Sequence, residues 1–482
     1  MNLRQAHPSD IPALCALYQL VDRQMKADGI RQRYPDKTEI RALVESGRMY
    51  CQYGENRVLL SLSLSAGAPP ENDGVNWLFG SRPGYVGFYA EDPAIRGQGF
   101  DRQAMTDAAA LLTGMGCDAM RRVVSEDNRH ETRFCEAWGM RQAGTVRAAD
   151  DTWTGLCCEK RLTDQCPLLP IAMRPAFRSG KATPWGGDRL KTVFDKHIPA
   201  YPTGESLEVS CVTGHESTDD AGITLPVMIR TYGEALVGRY AGRDFPLLLK
   251  MIDARDRLSV QVHPDDAFAA AREDGRLGKT EAWLILDAPA DAALVYGVRP
   301  GTSLETLQTA CQQGDAVEPL LRRVRVKPGD VCYIPAGCVH AIDAGMLILE
   351  IQQSSDITYR FYDWNRVDEK GRGRELHLEK ALAVTDLACA PEPVAAPGNI
   401  PVARVLDKPY FSLDVLQPRP DNPVHVPHIR DFGILTALDD ELFLVWDGTR
   451  RRLKKGASFL IPNTAPALTL EGSGRCALSM PR

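Results

Sequence analysis

A chain of 482 residues is too long for one hydrophobic core, so about three domains are expected at roughly 150 residues each. Its apolar and charged fractions, 44% and 25%, are those of an ordinary soluble globular protein. A net charge of −6 leaves no basic footprint for nucleic acid or an anionic membrane, which makes small molecules the expected partners.

Thirteen cysteines are scattered from Cys15 to Cys476 without a C-x-x-C pair, and Cys157-Cys158 is the one adjacent pair. An odd, unpatterned set of this kind suits reduced thiols better than a disulfide framework or a thiolate zinc site. The start, MNLRQAHPSDIPAL, does not lead from a basic stretch into an apolar segment, and no run of 18 apolar residues occurs. A cytoplasmic protein is expected.

In chain order, residues 1–162 alternate helical and strand patterns. Ser9-Asp10 is positioned to cap a helix through Leu20, SLSLSA over Ser61 to Ala66 alternates, and YVGFYA over Tyr85 to Ala90 precedes a glycine turn. This block predicts an α/β domain. TDQCPLLP, from Thr163 to Pro170, closes it, and residues 163–180 are assigned as a linker.

From Leu249 the texture changes to short strands with proline and glycine turns, as in LSVQVHPDD, KTEAWLILD and MLILEIQQ, which predicts a sandwiched or closed antiparallel β fold. Residues 181–390 form this domain. A linker-like APEPVAAPGNIP, from Ala390 to Pro401, leads into a last block over residues 391–482. An internal repeat connects the two blocks. Gly329 and Pro335 are six apart, as are Gly456 and Pro462, but His340 of the first copy is matched by Ala467 in the second.

Gln261 and His263 are two apart on a predicted strand, so they share a face with Ser259. Lys279 and Glu281 repeat the spacing, and His340 comes from a third strand. Inward-facing polar side chains on strands otherwise rich in Val, Leu and Ile are costly to bury unless they share a ligand. Two imidazoles with Gln and Glu oxygens suit Zn2+, with Mn2+, Fe2+ or Co2+ as alternatives.

GDVCYIPAGCVH fits the second cupin motif. With WGG at Trp185, FPLLLKMID at Phe245, QVHPDD at Gln261, LGKTEAW at Leu277 and SSDITYRFYDWNR at Ser354, the region resembles the class I mannose-6-phosphate isomerases, and the final block resembles their second barrel. The resemblance implies a two-barrel cupin (jelly-roll) fold and metal ligation by Gln261, His263, Glu281 and His340. It also implies an active-site Arg360, with Lys279 and Glu350 in the pocket. Leu207 departs from the family, many of whose members carry tryptophan there.

Isomerising an aldose phosphate moves a proton between C1 and C2, commonly through an enediolate that a metal stabilises. Lys279, Glu350 and metal-bound hydroxide are candidate bases. Arg360 suits either the phosphate or the enediolate, its bland alternative being an ion pair with Asp363 or Asp356. Ser259 and Arg374 are weaker substrate-binding candidates.

In the first block, Arg96, Gly97, Gln98 and Gly99 form a turn before a helix, a backbone anion site suited to a pyrophosphate. Together with SEDNRHETRFCEAWGMRQAG it resembles the GNAT N-acetyltransferases, which implies acetyl-CoA as cofactor. Asp101 stands where a small residue is usual, and Cys135 where many members carry tyrosine. The leading reading is therefore a mannose 6-phosphate isomerase fused to a GNAT-like domain. The alternatives are an acetyltransferase with a sugar-phosphate-binding cupin partner, and a non-enzymatic cupin sensor.

Overall fold

A computed structural model of the chain describes residues 3–482 apart from 55–56, 68–74, 76, 148–151, 397 and 399. Two units are present, Met1–Pro170 with the short segments Trp446–Thr449 and Thr464–Pro466, and the remaining C-terminal residues. No helix among the described residues is long and apolar enough to cross a membrane, and all thirteen cysteines are free thiols.

The first unit comprises β1 (Arg4–Gln5), α1 (Ile11–Ala27), α2 (Lys37–Glu45), β2 (Met49–Tyr53), β3 (Val58–Ala66), β4 (Pro83–Glu91), α3 (Phe100–Gly114), β5 (Ala119–Ser125), α4 (Arg129–Ala137), β6 (Arg141–Arg147) and β7 (Thr154–Arg161). Its sheet runs β1-β2-β3-β4-β5-β7-β6. Leu14, Leu17, Tyr18 and Val21 of α1 pack with Met49 and Cys51 in one core cluster. Ala104, Met105, Ala108 and Leu112 of α3 pack with Tyr50, Leu60, Leu62 and Leu64 in another. Helices thus cover both faces of the alternating SLSLSA strand: Ser61 and Ser63 are buried because the serine face lies under α1, where Tyr18 Oη donates to Ser61 Oγ at 3.3 Å.

The predicted start of α1 also differs. Asp10 spends its carboxylate on the His7 N–H at 2.7 Å and on Arg4, so it makes no side-chain cap for α1, which continues past Leu20 to Ala27. β4 and β5 are paired in parallel only from Pro83↔Ala119 to Val86↔Arg122. Beyond that register the two strands part, and the second half of β4 borders a cleft.

The second unit opens with β8 (Ile171–Met173) and β9 (Ala176–Ser179). These are followed by β10 (Thr203–Val209), β11 (Leu247–Ala254), β12 (Val260–Val262), β13 (Glu281–Asp287), β14 (Ala293–Val298) and β15 (Leu321–Arg325). Then come β16 (Asp330–Ile334), β17 (His340–Ala341), β18 (Met346–Gln353), β19 (Tyr359–Tyr362) and β20 (Val394–Ala395). A seven-stranded sheet, β20-β16-β13-β18-β11-β10-β9, accompanies a five-stranded one, β15-β14-β17-β12-β19. All eight residues of β11 are buried, as an interior strand of a sheet covered on both faces requires.

Strands between Val402 and Pro481, with β8, make a further six-stranded and a four-stranded sheet. Residues 163–180 are therefore not all linker. β8 pairs with Ser458–Ile461 and β9 with β10, long-range partners that local sequence does not reveal. Of the second linker-like stretch, Pro397 and Asn399 lie outside the described residues, and Val394–Ala395 pairs with β16. The internal repeat has a structural counterpart. Gly329 and Gly456 both take positive φ, 93° and 75°, and each turns the chain into a strand, β16 and Ser458–Ile461.

Candidate active site

In the second unit, polar side chains from the seven-stranded and five-stranded sheets meet in a row-by-row register. On β12, Gln261 is the direct partner of His340 on β17 and of Arg360 on β19. Directly opposed residues on antiparallel strands share a face, so these three project together. On the other sheet Trp283 pairs with Glu350, and Glu350 with Lys250. Glu281 lies two residues before Trp283 on the same strand and hence on the same face.

The two faces converge at Glu281. Its Oε1 is 3.3 Å from His340 Nε2 and its Oε2 is 3.5 Å from His263 Nε2. One ligand atom from each of His263, Glu281 and His340 falls within a 4.8 Å group, and all three residues are buried. The imidazole centroids are 4.7 Å apart. His340 Nδ1 lies 2.9 Å from the Cys338 carbonyl, which makes it the N–H donor and leaves the Nε2 lone pair facing Glu281. Gln261 Nε2 stands 3.3 Å from His340 Nε2, and Ser259 Oγ donates to Gln261 Oε1 at 3.4 Å. Ser259 thus orients Gln261. Rotating the amide by half a turn would put its oxygen beside His340.

Burial, with Lys279 and His340 nearby, holds the His263 imidazole well below its usual pKa, and burial brings His340 down to about 3. Both rings are therefore neutral near pH 7, the form that ligates metal. Burial and the neighbouring Glu350 push the Glu281 carboxyl up, against the pull of Lys279. Lys279 Nζ sits 2.5 Å from Glu281 Oε2 and 3.0 Å from His263 Nε2. This collection of lone pairs around a cation is what a divalent-ion site needs, and the residues present fit one.

Glu350 is differently engaged. It accepts from Lys250 Nζ at 3.1 Å and from Trp283 Nε1 at 3.0 Å. Burial alone would raise its carboxyl, but Lys250 and Lys279 outweigh that and bring it below the usual carboxylate range. Lys250, 4% exposed, has Glu205 as its second counter-ion at 3.9 Å. Lys250 and Trp283 are site residues that the sequence reading did not single out. The available signal was the lone lysine in LLLKMID, since a charge inside an apolar strand must find a partner.

Arg360 has its Nε buried without a hydrogen-bond partner. Asp363 is taken by Arg374 in a two-pronged contact at 2.7 and 2.6 Å, and Asp356 is bonded to Arg276. The surface-pair alternative for Arg360 therefore does not describe this structure. Arg374 binds Asp363 through its Nε and Nη2. Burial, together with the nearby Arg374, lowers the Arg360 pKa.

In the first unit, the Arg96–Gly99 turn leads into α3 with Gly99 at its N-cap, φ 86°. Asp101 occupies the first turn of that helix. Cys135 is 1% exposed and packed in the core beside Arg122, 3.9 Å from its Nη1. The cleft is bordered instead by its neighbours Glu131 and Phe134.

Residues 179–280 match the family described as phosphomannose isomerase type I, catalytic domain. A probable mannose-6-phosphate isomerase of Bacillus subtilis is 36% identical over 321 residues, which is 65% of this chain and 99% of that protein. The chain belongs to the mannose-6-phosphate isomerase family. It is accordingly an enzyme of the isomerase class, and the family likeness covers its C-terminal part. A mannose-6-phosphate isomerase of Streptococcus mutans is 35% identical across 60% of this chain and 92% of its own length. The crystal structure of the mannose 6-phosphate isomerase from Bacillus subtilis superposes with a TM-score of 0.59 at 33% identity, over 64% of this chain and 99% of that one. A phosphomannose isomerase from Salmonella typhimurium, at 16% identity and TM-score 0.53, shares the fold.

Proposed function

We propose that the chain interconverts mannose 6-phosphate and fructose 6-phosphate at the His263–Glu281–His340 centre, through a cis-enediolate. The observation that carries this is the convergence of two neutral imidazoles and a carboxylate from facing sheets. Gln261, His263, Glu281 and His340 would hold a divalent ion, Zn2+ first and Mn2+, Fe2+ or Co2+ as alternatives. When bound, such an ion polarises the substrate's carbonyl and hydroxyl oxygens.

Lys279, beside His263 and Glu281, is the residue best placed to move the proton between C1 and C2. Glu350 accepts from Lys250 Nζ and Trp283 Nε1 and is thereby occupied rather than free to act as base. Arg360 meets the substrate as an oxyanion contact. A complete set of this kind supports an enzyme over a sensor. Purified full-length protein should convert mannose 6-phosphate to fructose 6-phosphate at least about tenfold faster than it converts an aldopentose phosphate. Conversion of neither would overturn the reading.

For the first unit we propose a GNAT-like fold, supported by its α/β layers, the parting of β4 from β5, and the glycine turn at the head of α3. The unpaired edge of β4 suits the amides of an extended arm, and the Arg96–Gly99 backbone suits a pyrophosphate. Acetyl-CoA should bind weakly, because Asp101 places a carboxylate in the first turn of α3. Asp101→Gly should tighten binding by about three- to tenfold, as removing one repulsive charge at a helix N-terminus is worth roughly 1 kcal/mol. Calorimetry showing no CoA binding by either protein would refute the acyl-CoA reading.

A further inference from the structure

None of the thirteen free thiols enters the proposed chemistry, yet two of them meet beside the turn that leads to His340. The thiols of Cys338 and Cys389 are hydrogen-bonded to one another. Cys338 is fully buried, packed with Cys332 and Tyr296, and Cys389 lies against the same cluster while staying partly exposed. The first unit has a comparable thiol contact between Cys135 and Cys158, but both of those residues are buried. Of these four, only Cys389 is open to a solvent-borne oxidant.

What Cys338 is attached to gives the contact its consequence. The Gly337–Cys338 turn is bonded to both imidazole residues: the Gly337 N–H donates to the His263 carbonyl at 2.9 Å, and the Cys338 carbonyl accepts from His340 Nδ1 at 2.9 Å. The segment carrying Cys389 holds the same turn from the other side. The Asp386 N–H donates to the Gly337 carbonyl at 3.0 Å, and the Cys389 N–H to the Asp386 carbonyl at 3.1 Å. Gly337, with φ 84°, approaches this segment so closely that a Cβ on it would lie 3.0 Å from the Val384 carbonyl oxygen. Little slack therefore separates the thiol pair from the two histidines.

We propose that Cys338 and Cys389 are a redox-active pair, closed to a disulfide by a hydroperoxide, and that closure loosens the divalent ion from His263 and His340. The effect on the ion rests on the metal centre proposed above, whereas the cross-link does not.

The hydrogen bond from Cys338, and with it Arg322, holds the Cys389 thiol below its ordinary pKa against burial and Asp386, which raises its thiolate fraction. That thiolate attacks the peroxide. An S–O bond forms, the O–O bond breaks, and the departing hydroxide takes up the proton that Cys389 lost, leaving a sulfenic acid and one water. The Cys338 sulfur then displaces the sulfenic hydroxyl, which leaves with the Cys338 proton as a second water. The two thiols together give up two electrons, and one peroxide is reduced by them. The sulfurs must close from hydrogen-bonding contact to about 2.05 Å. A sub-ångström shift of the turn is enough to disturb the ion, because ligand distances in such sites hold to within about 0.2 Å.

The test uses the full-length protein loaded with Zn2+, with hydrogen peroxide as the oxidant. After mild treatment, alkylation and proteolytic mapping should recover the peptides bearing Cys338 and Cys389 joined by a disulfide that a thiol reductant separates. Elemental analysis should show that the oxidised protein has lost most of its ion, and isomerase activity should fall at least about tenfold, as when a group supporting a metal ligand is removed. Reduction followed by fresh Zn2+ should return both. Cys389→Ser should match the reduced wild type in activity and keep its ion and its activity through the same peroxide treatment. No Cys338–Cys389 cross-link, a cross-link that leaves ion content and activity unchanged, or equal losses in Cys389→Ser would each overturn the proposal. Reduced wild type that holds its ion yet converts no mannose 6-phosphate would defeat the isomerase reading instead, and the cross-link map and the ion content would still decide the thiol pair.

Discussion

Stripping the protein with a strong chelator should reduce isomerase activity by at least about three orders of magnitude, and adding Zn2+ or Co2+ should restore it. The magnitude follows from the chemistry. Charge developing on two adjacent oxygens needs a fixed electrophile, and a Lewis acid in a dry site contributes several kcal/mol, each 1.4 kcal/mol being tenfold in rate. The protein groups cannot substitute, because His263 and His340 are held neutral by burial and Glu281 is buried among them. Elemental analysis should find one divalent ion per chain in the active protein. His340→Ala should lose both ion and activity, whereas a merely structural histidine would leave the ion count unchanged. Full activity in rigorously metal-free protein would sink the metal assignment.

Much of the site could be read from spacing. Gln261 with His263, and Lys279 with Glu281, stand out because polar residues two apart on apolar strands must share one buried face. The same logic was available for Lys250, yet its partners Glu205 and Glu350 lie on different strands, the latter 100 residues away. Without the strand order, a lone lysine carries no indication of what neutralises it. For Arg374 the hidden feature is likewise a partner: only the fold shows that Asp363 accepts from its Nε and Nη2.

The fold followed a similar division. Alternation within SLSLSA located a strand, but period-two patterning assumes that one face is wet. In β3 the serine face is covered by α1, so small polar residues there reflect close packing and a hydroxyl partner rather than solvent. The segments β8 and β9 escaped notice because they are three and four residues long. Such short pieces become strands only through partners distant in sequence. In contrast, the glycine-proline repeat survived translation into structure, since each glycine fixes a local turn wherever the rest of the chain goes.

Arg360→Ala should lower kcat/KM by about two to four orders of magnitude, or roughly 3–5.5 kcal/mol of transition-state stabilisation, while leaving metal content and folding intact. The strand position is secured by the main chain, through the Arg360 N–H to His377 Nδ1 at 3.3 Å and the His377 N–H to the Arg360 carbonyl at 2.9 Å, so truncating the side chain should not release β19. What is lost is a guanidinium directed to the same face as Gln261 and His340, with a buried Nε that has no protein acceptor. Asp363, whose charge acts on Arg360, is bonded to Arg374, so the anion that completes Arg360 is best supplied by the substrate. If that anion is the phosphate, the loss should appear mainly in KM; if it is the enediolate, mainly in kcat. Arg360→Lys should recover less than about a tenth of the activity, because a single ammonium cannot reproduce two parallel N–H donors. An alanine variant within about threefold of wild type would remove Arg360 from the chemistry and leave Lys279 as the substrate's only basic contact among the residues proposed here.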